Sequence, residues 1–458
     1  MKVSASFRDP SGFLFHSQGK LYRQVNYSYQ ADYEKLMTSG LYEQLTRSGA
    51  MIDHQEADPS LAFDPGQAYK VIQPRPIGFV SYPYEWCFGE LKEAALLTLA
   101  IARRSLEFGM SLKDASAYNV QFENGRAIFI DTLSFETYQE GQPWVAYRQF
   151  CQHFLAPLAL MAAKDIRLNQ LVKVFLDGIP LDMASVLLPV RSRLSPGLMT
   201  HIHLHARSQQ HYADKTIQKG ELKPNVSRMA TLGLLENLTG TVKRLKLKSV
   251  QTEWADYYQD NNYSEEAFAA KKEIIAKFID RIKPGTVWDL GANTGEFSRL
   301  ASALGIQTIA FDIDPGAVQQ NYLRMKANKE KHLLPLIMDL TNPSPGIGWQ
   351  LQERQSLLER GTADTVFALA LIHHLAIANN VPLPDVADFL AKLGRYLVIE
   401  FVPKTDSQVG RLLANRVDIF PAYTQAGFEE AFKSNFKFLE VQVIPDSERV
   451  LYLMENKS

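Results

Sequence analysis

Residues 286–296 read Thr286-Val287-Trp288-Asp289-Leu290-Gly291-Ala292-Asn293-Thr294-Gly295-Glu296, a short apolar run that ends in a turn with glycines four apart and an Asn between them. Glycine lets a backbone approach a ligand closely, and Asn is the side chain that best tolerates positive φ in its place. The turn is read as a cofactor loop. Upstream, a helix is predicted from Ser264, with acidic Glu265 and Glu266 in its first turn and an apolar stripe through Phe268, Ile274, Ile275, Phe278 and Ile282, stopped by Pro284-Gly285. Downstream, apolar strands alternate with helices: QTIAFDID, a helix over 317–329, LLPLIMDL, DTVFALALI, a helix over 386–393, YLVIEFV, a helix over 427–434, FLEVQVI and RVLYLME. Such alternation predicts an open, mostly parallel α/β sheet covered on both faces.

In a sheet of this kind the ligand sits beyond the carboxyl ends of the strands, where the strand order reverses. Seventeen residues past Gly295, the second strand ends in Phe311-Asp312-Ile313-Asp314. A carboxylate there can accept both hydroxyls of a ribose. The third strand ends in Met338-Asp339-Leu340, which offers an acceptor to an adenine amine beside apolar neighbours. The fingerprint G-x-G-x-x-G is not met, since Asn293 replaces its middle glycine, so NAD is disfavoured.

Together DLGANTG, AFDID and IMDL resemble the motifs of class I S-adenosylmethionine-dependent methyltransferases, a resemblance covering residues 250–458. It implies a Rossmann-like seven-stranded methyltransferase sheet with S-adenosylmethionine as cofactor. It further implies that Gly291, Asn293 and Gly295 make room for the methionine part and that Asp289 lies near its ammonium group. Asp312 would then hold the ribose and Asp339 the adenine amine, with Ile313 and Leu340 as walls of the adenine slot. His373 and His374 follow the fourth strand, where many small-molecule methyltransferases carry a similar pair; one of them is a candidate general base, with packing as the competing role. Glu400 closes the fifth strand, either lining an acceptor pocket or lying in a solvated loop. No metal site is expected from the spacing of these groups. Tyr257, Tyr258 and Tyr263 form a lid or an aromatic packing cluster.

The first half has a different texture. GFLFHS and KLYRQVN flank Gln18-Gly19 as a hairpin, a helical run spans Asp32 to Arg47, and GELKEAALLTLAIARRSLEFGM reads as a long helix. Asn124-Gly125 between NVQF and AIFI signals a second hairpin. Asp114, Asn119 five residues on, and Asp131 at a strand end resemble, more faintly, the catalytic core of kinase-like and aminoglycoside-phosphotransferase-like folds. Departures are plain. Leu112 stands where a catalytic-loop His is usual, no Gly-rich loop is evident, and Arg23 with Glu34 are the only stand-ins for a lysine–glutamate pair. Residues 1–245 are expected to form an N-terminal α+β domain with a helical C-terminal part, which the fainter resemblance implies to be a degenerate kinase-like one, and residues 250–458 the methyltransferase domain.

Composition sets the outer limits. With 49 Lys and Arg against 50 Asp and Glu, the formal net charge is -1, which argues against a nucleic-acid partner. The basic excess from Arg207 to Lys248 reads as a solvated face, and His201, His203 and His205 as structural or surface residues. Only Cys87 and Cys151 occur, which excludes a disulfide framework and fits a cytoplasmic setting. The opening MKVSASFRDPSG lacks the apolar run of a secretory signal, and no apolar run is long enough to span a membrane. The expected reaction is methyl transfer from S-adenosylmethionine to a small-molecule acceptor, the N-terminal domain selecting or presenting it. The rival readings are a bifunctional kinase and methyltransferase, or a non-catalytic cofactor-binding scaffold.

Overall fold

The computed structural model describes residues 1–207, 225–247, 264–414 and 416–457. The chain divides into two compact units, one of Met1–Ser249 with Gly348–Arg354, the other of Val250–Ile347 with Gln355–Ser458. The short segment Gly348–Arg354, which sequence alone assigns to the C-terminal half, therefore belongs to the first unit. There Arg8 clasps Glu353 through Nε at 2.7 Å and the Arg354 guanidinium lies 4.1 Å from the centre of the Tyr118 ring.

In the first unit, β1 (Gly12–Ser17) and β2 (Lys20–Asn26) form the hairpin expected around Gln18-Gly19, both of which take positive φ. β3 (His54–Ala57) and β4 (Ala68–Pro74) complete an antiparallel sheet of order β1-β2-β4-β3. The helical run expected over Asp32 to Arg47 is two helices, Gln30–Thr38 and Leu41–Arg47, because Gly40 at φ 86° breaks the chain direction between them. The long helix spans Phe88–Glu107 and buries Leu91, Ala95, Leu99, Ala102 and Leu106 on one face. Beyond it, β5 (Met110–Leu112) pairs with β8 (Phe135–Thr137), while β6 (Val120–Glu123) and β7 (Arg126–Phe129) close on Asn124-Gly125 as a second hairpin.

The second unit is a seven-stranded sheet of order β11-β10-β9-β12-β13-β15-β14, built from β9 (Thr286–Leu290), β10 (Gln307–Asp312), β11 (Leu333–Ile337), β12 (Ala363–Ala368), β13 (Gly394–Phe401), β14 (Phe436–Val443) and β15 (Val450–Asn456). The five strands from β11 to β13 run parallel; β15 lies antiparallel to both β13 and β14. It is a Rossmann-like α/β fold. Pro335, which cannot donate to a ladder, is tolerated because β11 is an edge strand. Ser264 caps the helix Glu265–Ile282 by accepting the Ala267 amide at 3.0 Å. That helix packs Ile274, Ile275 and Phe278 against Val287, Phe367, Val398 and Leu453. Trp288, which alternates with Val287, is buried too, so the strands are covered on both faces. No helix among the described residues is long and apolar enough to cross a membrane.

Candidate functional site

Reversal of strand order falls between β9 and β12, and there the carboxyl ends of four parallel strands enclose a cavity of about 270 Å³. The β9 end contributes Asp289, Gly291, Ala292 and Asn293; the β10 end, Asp312 and Ile313; the β11 end, Met338, Asp339, Leu340 and Thr341; the β12 end, Leu369, Ala370 and Leu371. Phe268 and Lys271 from the preceding helix, with Phe297, His374, Leu375 and Asn379, complete the wall.

The turn after β9 is held by backbone bonds from the Gly291 and Ala292 amides to the Phe311 carbonyl, each 2.8 Å. Gly291 takes φ 75° and faces Leu371, whose Cδ1 would lie 3.3 Å from an added Cβ. Asn293 takes φ 50°, stabilised by its own Oδ1 accepting the Thr294 amide at 2.8 Å. Gly295 differs from expectation. It does not line the cavity, and a Cβ there would collide with Arg299 and Asn321 at 2.6 Å, so its smallness serves packing beneath the loop.

Three carboxylates face the hollow. Asp312 accepts the Asn293 amide through Oδ2 at 2.7 Å and the Asp314 amide through Oδ1 at 2.8 Å, with the Ile313 amide as a third donor. Burial nevertheless raises its pKa to about 6. Asp289 accepts the Ser298 hydroxyl at 2.6 Å and is raised to about 7, again chiefly by burial. Asp339 engages Thr341 with Oδ1 alone, at 2.8 Å to the amide and 2.6 Å to the hydroxyl. Ile313 is more than half exposed, and Leu340 stands with it in the wall.

The expected catalytic set separates. His374 lines the cavity, and burial together with Arg449 lowers its pKa, so the ring is neutral at physiological pH. His373 is wholly buried outside the wall, its ring 4.2 Å from that of His374 and neither nitrogen hydrogen-bonded. Glu400 is also outside the wall and fully buried, with Lys271 Nζ at 2.5 Å and Arg449 Nη1 at 3.3 Å. A carboxylate enclosed by two cations is a structural ion pair, not a solvated loop residue, and the partners explain why it tolerates burial. Tyr257, Tyr258 and Tyr263 lie outside the described residues, as do Lys215, Lys219, Lys223 and Lys248 of the basic excess.

Lys271 was not singled out by sequence, although a signal exists: it interrupts the apolar stripe three residues after Phe268 and three before Ile274. A lysine on a buried helix face calls for a partner. Arg449 carries no comparable local signal.

In the first unit, Asp114, Asn119 and Asp131 do share one network. Asn119 Nδ2 donates to Ser134 Oγ at 3.2 Å, Ser134 donates to Asp131 at 2.8 Å, and Asp114 accepts from Gln149 at 2.8 Å. Arg23 pairs with Asp131. The suggested Arg23–Glu34 pair does not form, because Glu34 instead accepts from Tyr69 at 2.7 Å and Gln30 at 2.9 Å. His201 sits between Tyr147 and Asn237, both at 2.8 Å, and His203 between Ser185 and Ser192 at 2.7 and 2.8 Å. Among the described residues no three His, Cys, Asp or Glu converge to hold a metal ion.

No protein-family model matches the chain. Over 459 aligned residues it is 38% identical to nodulation protein NoeA of Rhizobium meliloti (strain 1021), with 99% of this chain and 96% of that protein covered. The chain belongs to the family of that nodulation protein. Among solved structures, magnesium protoporphyrin IX methyltransferase (ChlM) from Synechocystis PCC 6803 with bound SAH is 17% identical at a TM-score of 0.31, covering 44% of this chain and 93% of the other. N-methyltransferase NodS from Bradyrhizobium japonicum WM9 is 10% identical at 0.30, covering 43% and 99%. Superposition at this level carries nothing about ligand or acceptor.

Proposed function

We propose that the second unit binds S-adenosylmethionine at the carboxyl edge of its sheet and transfers the methyl group to a small-molecule acceptor. The observation that carries this reading is the convergence of Asp289, Asp312 and Asp339 from three successive strands on one cavity entered by a left-handed turn. The residues suit the cofactor. Asp312 presents its carboxylate to the cavity for the ribose hydroxyls, and Asp339 Oδ2 is available for the adenine amine, with Ile313 and Leu340 against the ring. Asp289 supplies the counter-charge for the ammonium group.

When bound, the cofactor's sulfonium supplies an electrophilic methyl group. The protein then has chiefly to orient an acceptor in line with it, a contribution of up to roughly 7 to 11 kcal/mol. Phe268, Leu371 and Leu375 make the apolar wall that excludes water, and neutral His374 can take a proton from a hydroxyl acceptor. The first unit selects or presents the acceptor.

Calorimetry with S-adenosylhomocysteine on wild type and Asp312→Ala tests the reading. Removing the ribose carboxylate weakens binding by about 1 to 3 kcal/mol. Absence of binding to the wild type, or equal affinity in the two proteins, overturns it.

A further inference from the structure

The first unit holds a cavity of its own, of about 300 Å³, at the lower end of the size range of small-molecule sites. Part of its wall is the short ladder of β5 and β8. Ser111 and Glu136 are direct partners across that ladder and so project on one face, whereas their neighbours Leu112 and Phe135 point to the other and are fully buried. The loop after β8 adds Tyr138, Gln139, Gln142 and Trp144, and Thr231 of the helix Arg228–Arg244 completes the wall. Loop and helix are fastened together by the Val226 amide on the Gly141 carbonyl and the Arg228 amide on Glu140, both at 3.1 Å.

This wall is rich in unmet hydrogen-bonding capacity. Among the described residues, neither the half-buried Glu136 carboxylate nor the Ser111 hydroxyl, on a residue 9% exposed, has a hydrogen-bond partner, and the Gln139 and Gln142 amides have none either. Trp144 is the rigid part. Its Nε1 donates to the Leu112 carbonyl at 2.7 Å and its ring packs 6.1 Å from that of Phe150, so the indole offers the cavity only its apolar surface. A cation is not what the wall lacks. Burial raises the Glu136 pKa and Lys113 pulls it back, so this carboxylate already has an ammonium within electrostatic reach. An anion would meet Glu136 and the nearby Asp32 with no Lys, Arg or His in the wall to receive it. What fits is a neutral ligand whose groups both donate and accept, and which has a C–H face for the aromatic rings. A sugar ring has both properties.

We infer that this cavity binds a neutral saccharide, with Glu136, Ser111, Gln139 and Gln142 on its hydroxyls and Trp144 against its C–H face. None of these residues belongs to the cofactor cavity, so the site stands without the methyl-transfer reading.

The test exposes the full chain to an array of neutral and acidic oligosaccharides and follows the tightest-binding glycan by calorimetry. A neutral glycan is retained, and its affinity holds from roughly 0.05 to 0.5 M salt, because no ion pair is made on binding. Glu136→Ala weakens it at least about tenfold and Gln142→Ala about three- to tenfold, both with a melting temperature close to wild type. Gln142 is exposed, so its loss of binding does not come from loss of the fold. Failure of every arrayed glycan to bind, an affinity that collapses with salt, or variants that bind as well as wild type overturn the assignment.

Discussion

The Asn293 amide donates to Asp312 Oδ2 at 2.7 Å, so the residue that reverses the chain after β9 is tied to the residue that ends β10. The bond needs a left-handed backbone at Asn293, φ 50°, which an alanine adopts at a cost of about 1 to 2 kcal/mol. Asn293→Ala should therefore lower the melting temperature and weaken S-adenosylhomocysteine binding together, whereas Asn293→Gly should keep both close to wild type. Equal behaviour of the two variants in melting and calorimetry would detach the turn from the site.

Asp289 titrates near 7 in the fold against an ordinary value of 3.8, because burial outweighs the Ser298 hydroxyl and Lys271. For an acid raised in this way, the stabilisation is complete below pH about 4 and is lost as pH climbs through about 7. Ligand-free Asp289→Asn should accordingly gain stability over wild type from pH 4 upward, levelling off above 7 at a few kcal/mol. Its affinity for S-adenosylhomocysteine should fall, since the ligand's ammonium needs the ionised carboxylate; in wild type the affinity should rise between pH 6 and 8. A flat difference in melting temperature across that range would refute the shifted carboxyl.

Much of the fold was legible because its signals are local. Asn124-Gly125 and Gln18-Gly19 dictate hairpins by their own backbone preferences, and the run from Thr286 to Leu290 is too short and too apolar for a surface helix. What failed was non-local. Glu400 reads as a pocket or loop acid until Lys271, 129 residues earlier, and Arg449, 49 later, are seen to enclose it. Gly295 reads as part of the cofactor turn until Asn321 is found beneath it. His201 and His203, read from sequence as structural, are by contrast held as such in a widened helical turn, Met199–Leu204, with partners in Asn237, Ser185 and Ser192. The helix after the Gly295 turn begins only at Ser298, as Glu296 is drawn outward to Lys272 and Arg324.

In the first unit Asp131 is held by Arg23, the Leu133 amide at 2.9 Å and the Ser134 hydroxyl at 2.8 Å. Burial alone would raise this carboxyl, but the guanidinium and the two donors outweigh it and bring it below 3.8. The contribution of such a lowered acid is present above pH about 4 and disappears as pH falls through the folded value. Arg23→Met strands a buried charge and should cost roughly 3 to 5 kcal/mol at pH 7, while Arg23→Met with Asp131→Asn should recover much of it. Thermal melting of the four proteins of that cycle measures the coupling; additive losses would mean the pair is not coupled in the fold.

His374 is the one histidine of the pair in the cavity wall, and its function turns on which protonation state the wall enforces. Burial and then Arg449 push its pKa below 6.5, so the ring stays an acceptor at pH values where an exposed histidine would be half charged. A base so tuned keeps working as pH falls: at saturating S-adenosylmethionine, methyl transfer should hold its rate from pH 7.5 to below 6.5, and His374→Gln should lose about 100- to 10,000-fold in turnover while binding S-adenosylhomocysteine about as well as wild type. The two halves separate the roles, because a packing histidine would change melting and ligand affinity and leave no signature in the pH profile. Labelled methyl transfer into a small-molecule extract, followed across pH for both proteins, reads the outcome, and a variant with undiminished turnover means that the acceptor needs no proton removed by His374.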